Sequence, residues 1–263
     1  MRVKALFFSA LLAVFSLTGC NVDQVSLSSK LKGKWVLAQV DKKDVPTDNG
    51  FIITFTSPTT ANISMLVDSN DETVAWAREV PVDVVFSGET VTLKVRLENG
   101  DSYNYAMHVR SLYDDMMICD CKVTGIIGLN LPHEEYSGVF LRDDVDYRQA
   151  IIGTWEGDEL RDDDSGLPDG RRCRFEFLPD GTYNYYHQEM DESWKQSLDE
   201  FSFYFCDADV LFMHLKNLGL GLTARSSSWE FEIKNNTMHW KGLRMREDGS
   251  TYTLSVDFDK VQI

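Results

Sequence analysis

Thiols, carboxylates and imidazoles could do chemistry in this chain, and their spacing says which. Cys119-Asp120-Cys121 puts two thiols two residues apart. On a strand they share one face, with Cβ atoms too far apart for an unstrained disulfide. A soft-metal site would need further ligands, and His133 is the only histidine shortly after; the other reading is two small apolar groups in a core. Cys173 and Cys206 could form a disulfide in an oxidising compartment, although their parities relative to nearby phenylalanines differ. The stretch from Asp162 to Gly170 gathers carboxylates that could collect Ca²⁺. It lacks a calcium loop's distal bidentate Glu, so a solvated turn is the alternative. The histidines are scattered, and His108 and His239 fall at outward parity. No nucleophile–base pair or zinc spacing occurs. Carboxylates are too frequent for any pair of them to mark a glycosidase. The reading is therefore of a chain with no catalytic residues, no metal and no cofactor.

One aromatic set stands out. Tyr183, Tyr185, Trp229, Phe231, Trp240 and Tyr252 take alternating positions on strand-like segments and would point into one barrel. They form either a packed core or the wall of a cavity for an apolar, ring-bearing ligand. Both readings stay open at this level.

The chain has 263 residues, with 42 acidic against 26 basic and a formal net charge of −16. Nucleic acid is excluded as a partner, because phosphate binding needs clustered Lys and Arg. Arg2 and Lys4 precede an apolar, small-residue run from Ala5 to Leu17. It is too short for a stable membrane span and suits a secretory signal.

The elements that must position these groups are strands. Val91, Leu93, Val95 and Leu97 alternate with Thr92, Lys94, Arg96 and Glu98, which predicts one buried and one wet face. Asn99-Gly100 is a hairpin signal, and Tyr103, Tyr105, Met107 and Val109 return from it. Thr73 to Phe86 reads as two strands broken near Pro81, and Ser193 to Glu200 as a helical turn. Gly33-Lys34-Trp35 recurs as Gly153-Thr154-Trp155. Asn99-Gly100-Asp101-Ser102-Tyr103 has its counterpart in Asp248-Gly249-Ser250-Thr251-Tyr252. The repeated order argues for duplication. Asp143-Asp144-Val145-Asp146 is a short charged joint between the halves.

Two resemblances sharpen this. Leu17-Thr18-Gly19-Cys20 resembles the bacterial lipobox, which implies cleavage before Cys20, a lipid on its thiol and anchoring to a membrane. Asn21 in place of Asp favours, by the same resemblance, the outer membrane. Gly-x-Trp on a first strand followed by antiparallel hairpins resembles the lipocalin and fatty-acid-binding group, and in particular the lipocalin-like domains of Bacteroidetes-type lipoproteins. The fold implied is all-β, with two tandem lipocalin-like up-and-down barrels after the signal. Its divisions are residues 1–19 (signal), 20–29 (lipidated tether), 30–143 (first barrel) and 147–263 (second barrel). In lipocalins the Gly lets the chain bend at the barrel floor, the Trp plugs that floor, and a basic residue from a late strand lies on it. That assigns Gly33, Trp35 and Arg142 to one floor, and Gly153 and Trp155 to the other, with Lys260 a poorer counterpart of Arg142. The function implied is non-catalytic: an envelope lipoprotein whose barrels bind a small apolar ligand or a partner protein. An accessory subunit of an outer-membrane assembly is the alternative, and an enzyme acting at a barrel mouth is the last.

Overall fold

The computed structural model describes residues 24–66, 76–96, 102–125, 135–161, 163–196, 202–215 and 225–261. Helix α1 (Gln24–Leu31) leads into β1 (Gly33–Val40), a short β2 (Lys43–Asp44) and a 3-10 turn at Thr47–Asn49. Then come β3 (Phe51–Ser57), β4 (Thr60–Leu66), β5 (Trp76–Ser87), β6 (Thr90–Arg96), β7 (Ser102–Leu112), β8 (Met116–Gly125) and β9 (Glu135–Arg142). Neighbours pair antiparallel in chain order, and β9 returns to pair with β1. The strands β1 and β3–β9 thus close an eight-stranded barrel, with β2 appended to β1. Closure removes the sheet edges.

The second half runs β10 (Gly153–Leu160), β11 (Pro168–Phe177), β12 (Tyr183–Gln188), β13 (Trp194–Gln196), β14 (Ser202–Asp207), β15 (Val210–Leu215), β16 (Arg225–Lys234), β17 (Thr237–Met245) and β18 (Thr251–Lys260). Its sheet order is β13-β12-β11-β10-β18-β17-β16-β15-β14. The fold is therefore all-β, with two tandem antiparallel sheets, one closed into a barrel and one curled into an open barrel. The open seam lies between β12 and β14, joined at the Thr182↔Phe203 bridge and by Tyr204 N–H donating to Gly181 O at 2.8 Å. The same seam in the first half, β4 with β5, is a ladder from Thr60↔Asp83 to Leu66↔Trp76. In the second half β12 gives its outer residues to β13 instead.

Alternation explains the first core. Val91, Leu93 and Val95 are all sealed inside with Met107, Tyr105 and Tyr103 opposite them, and Val109 is buried on the same face. Four sequence expectations need correction. The stretch read as a tether is helical from Gln24, and Leu27 and Leu31, four apart on one face, are buried in the first core. From Trp76 onward the segment read as two strands is one strand with a bulge. The register slips between Ile63 and Met65, so Arg78 and Glu79 oppose Ser64, and Glu79 takes φ 46°. Trp194–Gln196 is an edge strand, not a helical turn, because pairing with β12 and stacking of Arg174 on Trp194 at 4.1 Å override local preference; residues 197–200 lie outside the described residues. Cys173 and Cys206 are free, buried thiols, as are Cys119 and Cys121.

The joint is packed rather than extended. Asp143 is buried, its N–H donates to Lys34 O at 3.0 Å, and Ile151 N–H donates to Tyr147 O at 3.0 Å. The halves also touch through side chains. Ile52 of β3 joins Val210 and Phe212 of β15 in a small apolar cluster. Beside it, Ser64 Oγ donates to Asp207 Oδ2 at 2.7 Å, and Lys34 makes an ion pair with Asp207.

A wedge completes the contact. The β16–β17 ladder ends at Glu230↔Lys241, and beyond it the two strands part. The 3-10 turn of the first half fills the fork. Asp48 Oδ1 accepts from Ser228 N–H at 2.9 Å, and Thr47 Oγ1 accepts from Leu243 N–H at 2.9 Å. Two main-chain donors left over by the splayed strands are thereby satisfied from the other half.

Candidate ligand site in the second barrel

The two Gly-x-Trp segments are built alike. Trp35 and Trp155 are fully buried, and each Nε1 donates to the carbonyl four residues before it: Leu31 O at 2.8 Å and Ile151 O at 2.7 Å. Strand register then sets a cation over each ring. Trp35 pairs across β1–β9 with Arg142, and Trp155 pairs across β10–β18 with Lys260. The guanidinium of Arg142 lies 4.5 Å from one ring and Lys260 Nζ lies 4.9 Å from the other. Arg142 also donates to the carbonyls of Asp114, Lys32 and Lys30 at 2.6–2.7 Å, while Lys260 reaches Ala150 O at 3.2 Å. Gly33 and Gly153 hold φ of 115° and 127°, and a Cβ on Gly33 would stand 2.8 Å from the pinned Arg142 Nη1. Cys20 lies outside the described residues.

Beyond Trp155, the interior of the second barrel is aromatic. Phe175 of β11 is central: its ring lies 5.0 Å from Tyr185, 5.1 Å from Trp240, 5.4 Å from Phe258 and 6.0 Å from Tyr183. Trp240 adds Trp229 at 5.4 Å. Of the six aromatics read from the sequence, Tyr183, Phe231 and Trp240 are buried in this cluster, and Tyr185 and Trp229 pack against it half-buried. Tyr252 is brought elsewhere. It lies at the far end of β18, away from the cluster, under the guanidinium of Arg246 at 4.5 Å.

Sequence reasoning passed over Phe175, Phe177 and Phe258, although the alternation at Cys173, Phe175 and Phe177 was the signal. It also passed over Gly157, where a Cβ would fall 2.6 Å from the Phe258 ring, so the missing side chain is what admits that ring. The residue types of the wedge, Thr47 and Asp48, carry no such signal, since turn residues look alike.

Charged groups at this barrel face one another. Glu159 accepts from Tyr185 Oη at 2.9 Å and stands 3.3 Å from Arg171 Nε. Burial, with Glu159 and Cys173 nearby, pushes the Tyr185 hydroxyl well above the usual phenol range. Arg244 lies 4.5 Å over the Trp229 ring and pairs with Asp48 of the first half at 3.2 Å. Burial pulls the Arg244 guanidinium down from its ordinary value and raises the Asp48 carboxyl, against the lowering effect of Arg244. His239 is exposed and bonds Asp257 at 2.7 Å; His108 is exposed beside Thr90. The acidic loop spends its carboxylates locally, with Asp163 on Ser165 N–H, Asp164 on Arg246 and Asp169 on Arg171. Among the described residues, no group of three or more His, Cys, Asp or Glu is placed to hold a metal ion.

No family model matches this chain, and no curated protein matches it. Among the solved structures with a loose likeness to it are the following two. One is a double mutant of Transferrin Binding Protein B from Haemophilus parasuis, at 10% identity and TM-score 0.25, covering 81% of this chain and 53% of that one. The chain thus spans about half the length of that protein. The other is a protein of unknown function from the DUF3598 family of Nostoc punctiforme, at 10% identity and TM-score 0.26, covering 91% of this chain and 99% of that one. Superpositions this loose carry no information on what the chain binds. Among the described residues, no helix is long and apolar enough to cross a membrane.

Proposed function

We propose that this is a non-catalytic, membrane-anchored binding protein of the lipocalin-like kind, and that its second barrel takes a small apolar, ring-bearing ligand. One contrast supports this reading. The inward positions of β9 in the first barrel, Tyr136, Gly138 and Phe140, are all sealed. On β18 of the second, Phe258 beside Lys260 is sealed like Phe140, but Val256 and Leu254 further along the same face remain partly accessible, as do Phe175, Tyr185 and Trp229. A packed core needs no accessible aromatic wall, whereas a binding site does. The anchor is the lipid on Cys20, and Asn21 favours the outer membrane, both by resemblance to bacterial lipoproteins.

Native mass spectrometry of the protein purified from its host tests this. A small molecule retained by the native protein and released on unfolding is the expected result. A stoichiometric protein partner without a small molecule would transfer the role to an accessory subunit. Neither one, with no change in tryptophan fluorescence on adding naphthalene, would end the ligand reading.

A further inference from the structure

Buried Tyr and Trp side chains normally find a partner for their polar atom. The interior rings of this chain follow that rule closely. Trp35 and Trp155 donate to carbonyls, Tyr105 and Tyr136 bond each other at 2.6 Å, and Tyr103 donates to Met65 Sδ at 3.3 Å. In the second barrel Tyr185 donates to Glu159, Tyr204 to Leu178 O at 2.9 Å and Trp229 to Ser227 Oγ at 3.3 Å. Trp240 departs from it. The residue is 3% exposed, and its Nε1 has no acceptor. It sits among the rings of Trp229, Phe175 and Phe258, at centroid distances of 5.4, 5.1 and 4.6 Å, in the barrel whose wall is accessible.

We infer that the ligand of the second barrel is a flat, uncharged ring compound carrying a hydrogen-bond acceptor, and that this acceptor lies on Trp240 Nε1. The inference rests on the ligand reading above. Flatness follows from the surrounding rings, which offer faces and edges for stacking. The acceptor follows from the unmet donor: an acceptor-free ring would leave the N–H buried and unpaired, at a real cost in affinity. Neutrality follows from the neighbouring charges. Glu159 Oε2 also lacks a hydrogen bond, but Arg171 Nε stands 3.3 Å from it as an ion pair, and Arg244 is engaged by Asp48. A charged ligand would have to break such a pair, whereas a ring nitrogen, carbonyl or ether oxygen meets Trp240 without doing so.

Quinoline and naphthalene form the test pair, since they match in size and shape and differ by one ring nitrogen. Both are titrated against the full mature chain and its Trp240→Phe variant, with binding read from the fluorescence of the remaining tryptophans. The affinity ratio of quinoline over naphthalene should fall about five- to tenfold in Trp240→Phe, the worth of one hydrogen bond; the loss of ring area weakens both probes alike and cancels in the ratio. A second readout needs no variant to fold normally. In ¹⁵N-labelled protein the Trp240 indole N–H resonance should move downfield with quinoline and not with naphthalene. A resonance that responds alike to both probes, or an unchanged ratio, overturns the acceptor assignment and leaves the ligand reading standing; an ordered water on Nε1 would give that result. If neither probe binds, the ligand reading itself falls and takes this inference with it.

Discussion

Arg142 and Lys260 occupy the same register position over their tryptophans but hold them differently. A guanidinium fork can serve three carbonyls while stacked on a ring; an ammonium is a point donor. Arg142→Lys should therefore cost about 1.5–3 kcal/mol, the range for hydrogen bonds to a charged group, in urea unfolding. Lys260→Arg should be near neutral by the same measurement. An equal response to the two changes would show that the carbonyl contacts of Arg142 contribute nothing. The thiols make a second test at this scale. Burial pushes Cys121 up to about 11 and Cys173 and Cys206 each up to about 12, with Cys119 raised as well. Thiolate is the reactive form, so the native protein should not react with a thiol reagent at mildly alkaline pH. After unfolding, the four described cysteines should all titrate. A fifth would be Cys20 with its thiol free, which would remove the proposed anchor.

At the scale of elements, the 3-10 turn and the β16–β17 fork depend on each other. Asp48→Ala removes the acceptor from Ser228 N–H and leaves Arg244, whose side chain is 11% exposed, without its carboxylate. The expected loss is about 1.5–3 kcal/mol. Thr47→Ala, which frees only Leu243 N–H, should lose about 0.5–1.5 kcal/mol. Asp48→Asn keeps an acceptor and should lose less than Asp48→Ala. The pH dependence has a defined sign. Burial raises the folded carboxyl of Asp48 above its ordinary value. Its contribution is therefore fully present below the unfolded carboxylate value and falls as pH rises through the raised one. Stability of the native chain relative to Asp48→Asn should show that decline across the acid range; carboxylates such as Asp146, which Arg148 holds low, push both chains the other way and cancel in the difference. A steeper decline in the variant would mean that another group carries the effect.

The whole molecule should unfold as one unit. Besides the wedge, the halves share the Ile52, Val210 and Phe212 cluster and the buried Lys34–Asp207–Ser64 group. Removing one partner of a buried ion pair typically costs ~3–5 kcal/mol, so Asp207→Ala should lower the melting temperature without splitting the transition. Trp35→Ala should cost ~3–5 kcal/mol. The contacts around Asp48 and Asp207 should then carry its effect into amide exchange of β14 to β17, not confine it to the first barrel. The same contacts, with Asp143 buried at the joint, predict that limited proteolysis will not release two halves from the native protein. Two stable fragments cut near residues 143–147 would show that the halves are independent.

Alternation, turn residues and the repeated Gly-x-Trp determined by themselves the strands, the antiparallel plan and its duplication. They did so because a strand half-buried in a barrel must alternate, and Val91 to Val95 or Trp229 to Ile233 can satisfy that requirement in only one orientation. The same parity was enough to point Arg142 toward Trp35. Four outcomes belonged to the tertiary structure alone. Pairing of β12 with β13 opened the second seam, because an edge takes whichever strand reaches it. Packing of Leu27 and Leu31 on the first core made a helix of a Ser-rich stretch whose composition suggests a tether. The turn at Thr47 became an inter-barrel wedge only where two other strands diverged. Trp240 was left without an acceptor by the positions of its neighbours in space, and no local pattern encodes the absence of a hydrogen-bond partner.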